Sequence, residues 1–178
     1  METGFQPAFL ALFTLYWGMR PLTTPPMKRG WHNVYDLHYH FVFTVKYRKA
    51  LLDAQATTEL LRISRQIEER HEIQVECLGT DQNHVHLLCA APPSFAPSEI
   101  VRIYKSIPAR ELFQALPQLR KELWGGAFWS SGYFVATVGQ RGGYAAIKRY
   151  VHKRYVQSQG QTPEDTNLRL LFDVADEN

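Results

Sequence analysis

Two short segments carry residue types that could do chemistry together. In Asn83-His84-Val85-His86-Leu87-Leu88, two histidines stand two positions apart among apolar residues. On a strand, residues i and i+2 point to the same face. His84 and His86 then project side by side while Val85 and Leu87 turn to the core, and two such imidazoles suit one divalent cation. In Tyr155-Val156-Gln157-Ser158-Gln159, a phenol and an amide are four positions apart. On a helix those positions share a face. The Gln159 amide oxygen can serve as a third metal ligand and the Tyr155 phenol as a nucleophile. Taken singly, each segment also fits an ordinary role: a polar strand face with two unrelated histidines, or a surface helix.

These segments need elements to hold them. Residues 37–47 alternate cleanly, with Leu37, Tyr39, Phe41, Phe43 and Val45 on one face and His38, His40, Val42, Thr44 and Lys46 on the other. This predicts a strand. Over 53–71 the period changes: Leu60, Leu61, Ile63 and Ile67 sit among Gln, Glu and Arg, as in an amphipathic helix. Strands follow over 72–80 and 84–91, joined by the turn residues Asp81-Gln82-Asn83 into a hairpin. Ser98-Glu99 reads as the cap of a second helix reaching about residue 116, with Pro108 expected to kink or split it. Trp124-Gly125-Gly126 punctuates, residues 129–138 read as a fourth strand, and a basic helix is expected over 144–159. The order β-α-β-β-α-β-α fits an α+β, ferredoxin-like split βαβ sheet with helices on one face, and the C-terminal helix carries the candidate nucleophile Tyr155.

Composition is that of one globular domain: of 178 residues, 45% are hydrophobic and 21% charged, enough to bury a single core. Cys77 and Cys89 form neither a CxxC pair nor a disulfide framework, so they read as two buried thiols of a reducing, cytoplasmic protein. Residues 27–160 hold 18 Lys+Arg against 11 Asp+Glu, while residues 161–178 hold one Arg against five acids. A basic body thus carries an acidic tail, which suits a polyanionic partner. The opening 26 residues read differently. Their apolar run over 8–17 is shorter than the ~20 residues of a spanning helix. It also lacks the flanks of a secretion signal. Residues 1–26 are therefore expected to be an upstream extension, with Met27-Lys28-Arg29 as the natural start. The other reading of them is an amphipathic arm packed on the domain.

Together the two segments resemble the single-tyrosine HUH transposases of small bacterial and archaeal insertion sequences, nearer the insertion-sequence branch than the REP-type branch. In that family a strand-borne His-hydrophobe-His is followed by a C-terminal helix with Tyr-x-x-x-Gln. Leu37-His38-Tyr39-His40-Phe41-Val42-Phe43 with Lys46-Tyr47-Arg48 is similar to the family's first strand, and Asp81 to Leu88 to its HUH strand. Pro117-Gln118-Leu119, Leu123 to Gly126 and Ser131 to Gly139 are similar to later segments, so the resemblance spans roughly 30–160 in the right order. One departure matters. Ile147-Lys148-Arg149-Tyr150-Val151 also resembles the approach to the catalytic tyrosine, but four residues beyond Tyr150 stands Arg154. A guanidinium cannot ligate a cation, whereas an amide oxygen can, which favours Tyr155 with Gln159 and leaves Tyr150 as the alternative nucleophile.

The resemblance implies roles. His84, His86 and Gln159 would hold one divalent ion, Mg²⁺ or Mn²⁺, which polarises the scissile phosphate. Tyr155 would attack phosphorus, leaving a 5′-phosphotyrosine and a free 3′-hydroxyl. Rejoining then needs no nucleotide, and no Walker-type glycine-rich loop occurs in the chain. The family further implies a homodimer and single-stranded DNA with hairpins at the element ends. Lys46, Arg48, Lys49, Arg102, Lys105, Lys148 and Arg149 are the candidate phosphate contacts, and Tyr104, Trp124 and Trp129 the candidate stacking residues. Competing readings are a domesticated or decayed HUH-fold protein that binds single-stranded or hairpin DNA, and a small metallohydrolase built on the same two histidines.

Overall fold

A computed structural model of the chain describes residues 27–139. The expected extension over 1–26, the helix over 144–159 with Lys148, Arg149, Tyr150, Tyr155 and Gln159, and the acidic tail over 161–178 lie outside the described residues.

The described chain opens with a two-stranded ribbon, β1 (Lys28–Arg29) and β2 (Val34–Tyr35), closed by a hydrogen bond from Gly30 N to Asn33 O of 2.9 Å. Sequence periodicity did not reveal it, because two-residue strands are too short to show a period. There follow β3 (His38–Thr44), a 3₁₀ turn (Lys46–Arg48), α1 (Ala54–Arg70), β4 (Gln74–Asp81) and β5 (His84–Ala90). The chain continues with α2 (Pro97–Ala115), α3 (Pro117–Glu122) and β6 (Phe134–Thr137). The four long strands form one antiparallel sheet in the order β4-β5-β3-β6. β5 sits between β3 and β4, the two strands joined by α1, which is the split βαβ arrangement expected from the element order.

The alternation of β3 does what the sequence implies. Tyr39, Phe41, Phe43 and Val45 enter one core with Val85, Leu87 and Cys89 of β5. Leu60, Ile63 and Ile67 of α1 and Ile100, Ile103, Tyr104 and Leu112 of α2 close that core from the helical side. α1 starts at Asp53, whose carboxylate accepts from Ala56 N at 2.8 Å, a side-chain cap on an otherwise orphaned donor. Both cysteines are free and buried. The sheet's other face carries His38, His40, Val42, Cys77, His86 and Leu88, all buried.

Three local expectations are corrected. Ser98 is not the cap: the cap lies two residues earlier, at Ala96, and Pro97 opens α2, because proline's fixed φ suits a first helical turn. Pro108 does not split α2, since Ile100 and Tyr104 before it and Leu112 and Phe113 after it anchor in the same core. The break falls at Leu116, which stands before Pro117 and leaves the helical region (φ −128, ψ 74). The fourth strand is shorter than 129–138. Phe128 and Trp129 bury in the core, Trp129 makes an isolated bridge to Val45, and regular pairing begins only at Phe134.

Candidate functional site

His84 opens β5, and its position is set by the turn before it. The carbonyls of Gln82 and Asn83 accept from Leu52 N at 2.9 Å and Val45 N at 2.8 Å, tying the hairpin tip to the end of β3. In the ladder His84 stands between Thr44 and Asp81, and His86 between Val42 and Gly79. The two imidazoles therefore share the sheet face away from the helices, with ring centroids 5.0 Å apart at 73°. His84 is half-buried and His86 is fully buried.

Each ring is gripped at Nδ1. His84 Nδ1 lies 2.7 Å from Asn83 Oδ1. An amide oxygen only accepts, so a proton sits on His84 Nδ1, and in the neutral ring the lone pair is on Nε2. His86 Nδ1 lies 3.0 Å from His40 Nε2, the two rings stacked at 5.3 Å and 15°. Burial lowers the His40 pKa to about 4, so that ring is neutral. This donor set suits a borderline divalent cation: two imidazoles on one rigid strand, each with a hydrogen-bonding neighbour at Nδ1. Among the described residues no group of three His, Cys, Asp or Glu is placed to hold a metal.

The candidate phosphate contacts separate into groups. Lys46, Arg48 and Lys49 lie on the 3₁₀ turn at the His84 end of the sheet, together with exposed Tyr47 and with Trp124, which is 85% exposed. Tyr47 and Arg48 both have positive φ, 60° and 51°, an uncommon backbone for such residues. Lys46 Nζ lies 3.5 Å from the Trp124 carbonyl, and Lys49 pairs with Glu122 at 3.1 Å. Arg102 lies on the exposed side of α2, on the helical layer rather than the histidine face, 3.7 Å from Glu99. Lys105 donates to the carbonyls of Ser130, Ser131 and Gly132 at 2.9, 2.8 and 2.6 Å. Its three ammonium hydrogens are thus engaged in holding a loop. Of the candidate stacking residues only Trp124 is exposed; Tyr104 and Trp129 are buried in the core.

Sequence reasoning missed His40 and Asn83 as partners of the histidine pair. Alternation had placed His40 on the correct face, but only the register of β3 on β5 brings it to His86. In the sequence Asn83 reads as turn chemistry alone.

A ferredoxin-like sheet with two adjacent imidazoles on its open face thus defines an α+β protein built to present a small polar site beside a basic, aromatic turn. Residues 33–154 match the family described as IS200-like transposases, and the chain belongs to that family. It is similar to the ISDra2 transposase TnpA of Deinococcus radiodurans, 36% identical over 129 residues, covering 72% of this chain and 91% of that protein. It is also similar to the transposase of insertion sequence element IS200 from Salmonella typhimurium, 27% identical over 123 residues, 67% of this chain and 78% of that one. Among solved structures, a crystal structure of a protein assigned as a transposase in Deinococcus radiodurans superposes with a TM-score of 0.60 at 32% identity, covering 72% of this chain and 98% of that one. A REP-associated tyrosine transposase bound to a REP hairpin shares the fold, with a TM-score of 0.52 at 14% identity and 76% of each chain covered. No helix among the described residues is long and apolar enough to cross a membrane.

Proposed function

We propose that the chain is the single-tyrosine DNA nuclease and strand transferase of an insertion sequence, cutting and rejoining single-stranded DNA through a 5′-phosphotyrosine. The observation that carries this reading is the pairing of His84 and His86 on one face of β5, 5.0 Å apart, in a chain of the IS200-like transposase family. His84 and His86 would hold one divalent ion, Mg²⁺ or Mn²⁺, with the Gln159 amide oxygen as third ligand. The ion, when bound, supplies positive charge at the scissile phosphate. Tyr155 provides the attacking oxygen: its phenolate forms the bond to phosphorus as the 3′-oxygen leaves. Lys153 and Arg154, adjacent in sequence, favour the phenolate by their charge. A 3′-hydroxyl attacking the phosphotyrosine reverses the bond change, releases the phenol and seals the strand.

Residues 27–160 form the catalytic domain in this reading, and Lys46, Arg48, Lys49, Lys148 and Arg149 contact phosphates. The partner is single-stranded DNA with hairpins at the element ends; the REP-associated relative was solved on a hairpin, which supports that choice. A homodimer is part of the proposal, the tyrosine helix of one subunit completing the metal site of the other.

The test is to locate the adduct. After reaction with an oligonucleotide from the element end, trypsin separates Tyr150, which lies between Arg149 and Lys153, from Tyr155, which follows Arg154. Mass spectrometry is expected to find the nucleotide on the Tyr155 peptide. An adduct on the Tyr150 peptide would move the nucleophile and remove Gln159 from its role. Hairpin binding without any adduct would favour a decayed DNA-binding copy.

A further inference from the structure

An imidazole binds a metal through one nitrogen lone pair, so its proton must sit on the other nitrogen and be held there by an acceptor. At His84 that acceptor is the Asn83 side-chain oxygen, 2.7 Å from Nδ1. At His86 the corresponding place is filled by His40, whose Nε2 lies 3.0 Å from His86 Nδ1. The hydrogen bond between these two ring nitrogens can run either way. If His40 donates, His86 accepts at Nδ1 and carries its own proton on Nε2, where it blocks a metal. If His86 donates, its Nε2 keeps the lone pair.

We propose that His40 is a positioning residue for the metal site: its Nε2 accepts a hydrogen bond from His86 Nδ1–H and so locks His86 in the Nε2-ligating tautomer, as the Asn83 side-chain oxygen does for His84. This rests on the reading of His84 and His86 as metal ligands. The surroundings favour a fixed role. β3 is paired on both sides, with His40 opposite Leu88 of β5 and Ala136 of β6. The Phe134 ring meets the His40 ring edge-on at 6.0 Å and 70°, and the His86 ring stacks on it. His40 is 7% exposed and His86 0%, so little water competes for the shared hydrogen bond.

The test uses the full chain and two readouts that do not require DNA cleavage. The first is Mn²⁺ affinity, from the electron paramagnetic resonance signal of free Mn²⁺, in wild type, His40→Phe, His40→Gln and His86→Ala. His40→Phe keeps a ring but no acceptor and is expected to weaken binding about 10–100-fold. His40→Gln restores an acceptor oxygen and is expected to recover most of that loss. The second readout is the His86 tautomer in metal-free wild type, from ¹⁵N shifts, expected with the proton on Nδ1. A proton on Nε2 overturns the proposal, as does folded His40→Phe binding Mn²⁺ like wild type while His86→Ala does not bind. Wild type that binds no Mn²⁺ overturns the metal site itself and this role with it. Should His40→Phe fail to fold, the wild-type tautomer decides alone.

Discussion

His38 Nδ1 lies 2.9 Å from Glu76 Oε2, joining β3 to β4 across the intervening strand β5. The contact depends on a ladder irregularity. His38 pairs with Ala90, and the β4–β5 register shifts between Val75 and Cys77, with Glu76 as the extra residue. The other ring nitrogen, Nε2, lies 2.7 Å from Asp36 Oδ1. Burial pulls the His38 pKa down, but hydrogen bonds and charge from Glu76 and Asp36 together outweigh it, and the net shift is upward. A raised folded-state pKa contributes stability that is fully present below the unfolded value of about 6.5 and is lost as pH rises through the folded value. Urea midpoints measured from about pH 7.5 to pH 9, above the range in which the lowered His40 pKa adds stability with rising pH, should therefore fall in wild type. His38→Gln should flatten that fall, and an unchanged slope in the variant would show that His38 is not its source.

Lys105 and Arg48 are expected to part company on mutation. Lys105→Met removes the donor to three loop carbonyls and should destabilise the fold by about 1–3 kcal/mol, with little change in the salt dependence of DNA binding. Arg48→Ala, on the exposed turn, should leave the melting temperature nearly unchanged and reduce the salt slope of DNA binding by about one. Melting curves and binding isotherms at several salt concentrations separate the two. A stability loss confined to Arg48→Ala would reverse the assignment.

Asn83 holds His84 through its side chain, while its backbone carbonyl holds Val45 N. Asn83→Ala deletes only the first of these. Mn²⁺ affinity should fall about tenfold with the hairpin intact by circular dichroism. Asn83→Asp, which keeps an acceptor, should retain affinity better than alanine; equal losses would argue against the hydrogen bond as the cause.

The two thiols should be silent in the native protein. Cys77 and Cys89 are 4% and 0% exposed, and burial pushes the Cys89 thiol well above its ordinary range. An Ellman titration should detect neither until denaturant is added, then both. Prompt labelling of the folded protein would contradict their burial.

Much of this is legible in the sequence. The β3 alternation, the helix around Leu60 and Ile67, the Asp81–Asn83 turn and the His84/His86 pair are all local patterns, and each lies where its period placed it. What failed was non-local. The 129–138 strand looked continuous, but Lys105, some 25 residues earlier in the chain, takes the carbonyls of 130–132 and the ladder starts only at Phe134. Pro108 reads as a kink or a split, and packing on both sides carries α2 through it unsplit. The His40–His86 contact requires the register of two strands 46 residues apart, which no window along the sequence contains.

His84, His86 and Tyr155 are proposed to act together on single-stranded DNA. The most direct measurement is covalent trapping: 5′- and 3′-end-labelled single strands from the element ends are incubated with Mn²⁺ and wild type, His84→Ala, Tyr150→Phe or Tyr155→Phe, then run on a denaturing gel. The account predicts a protein-linked band with the 3′-labelled strand, kept in Tyr150→Phe and lost in His84→Ala and Tyr155→Phe. A band that survives His84→Ala, or that disappears with Tyr150→Phe while persisting in Tyr155→Phe, would contradict it.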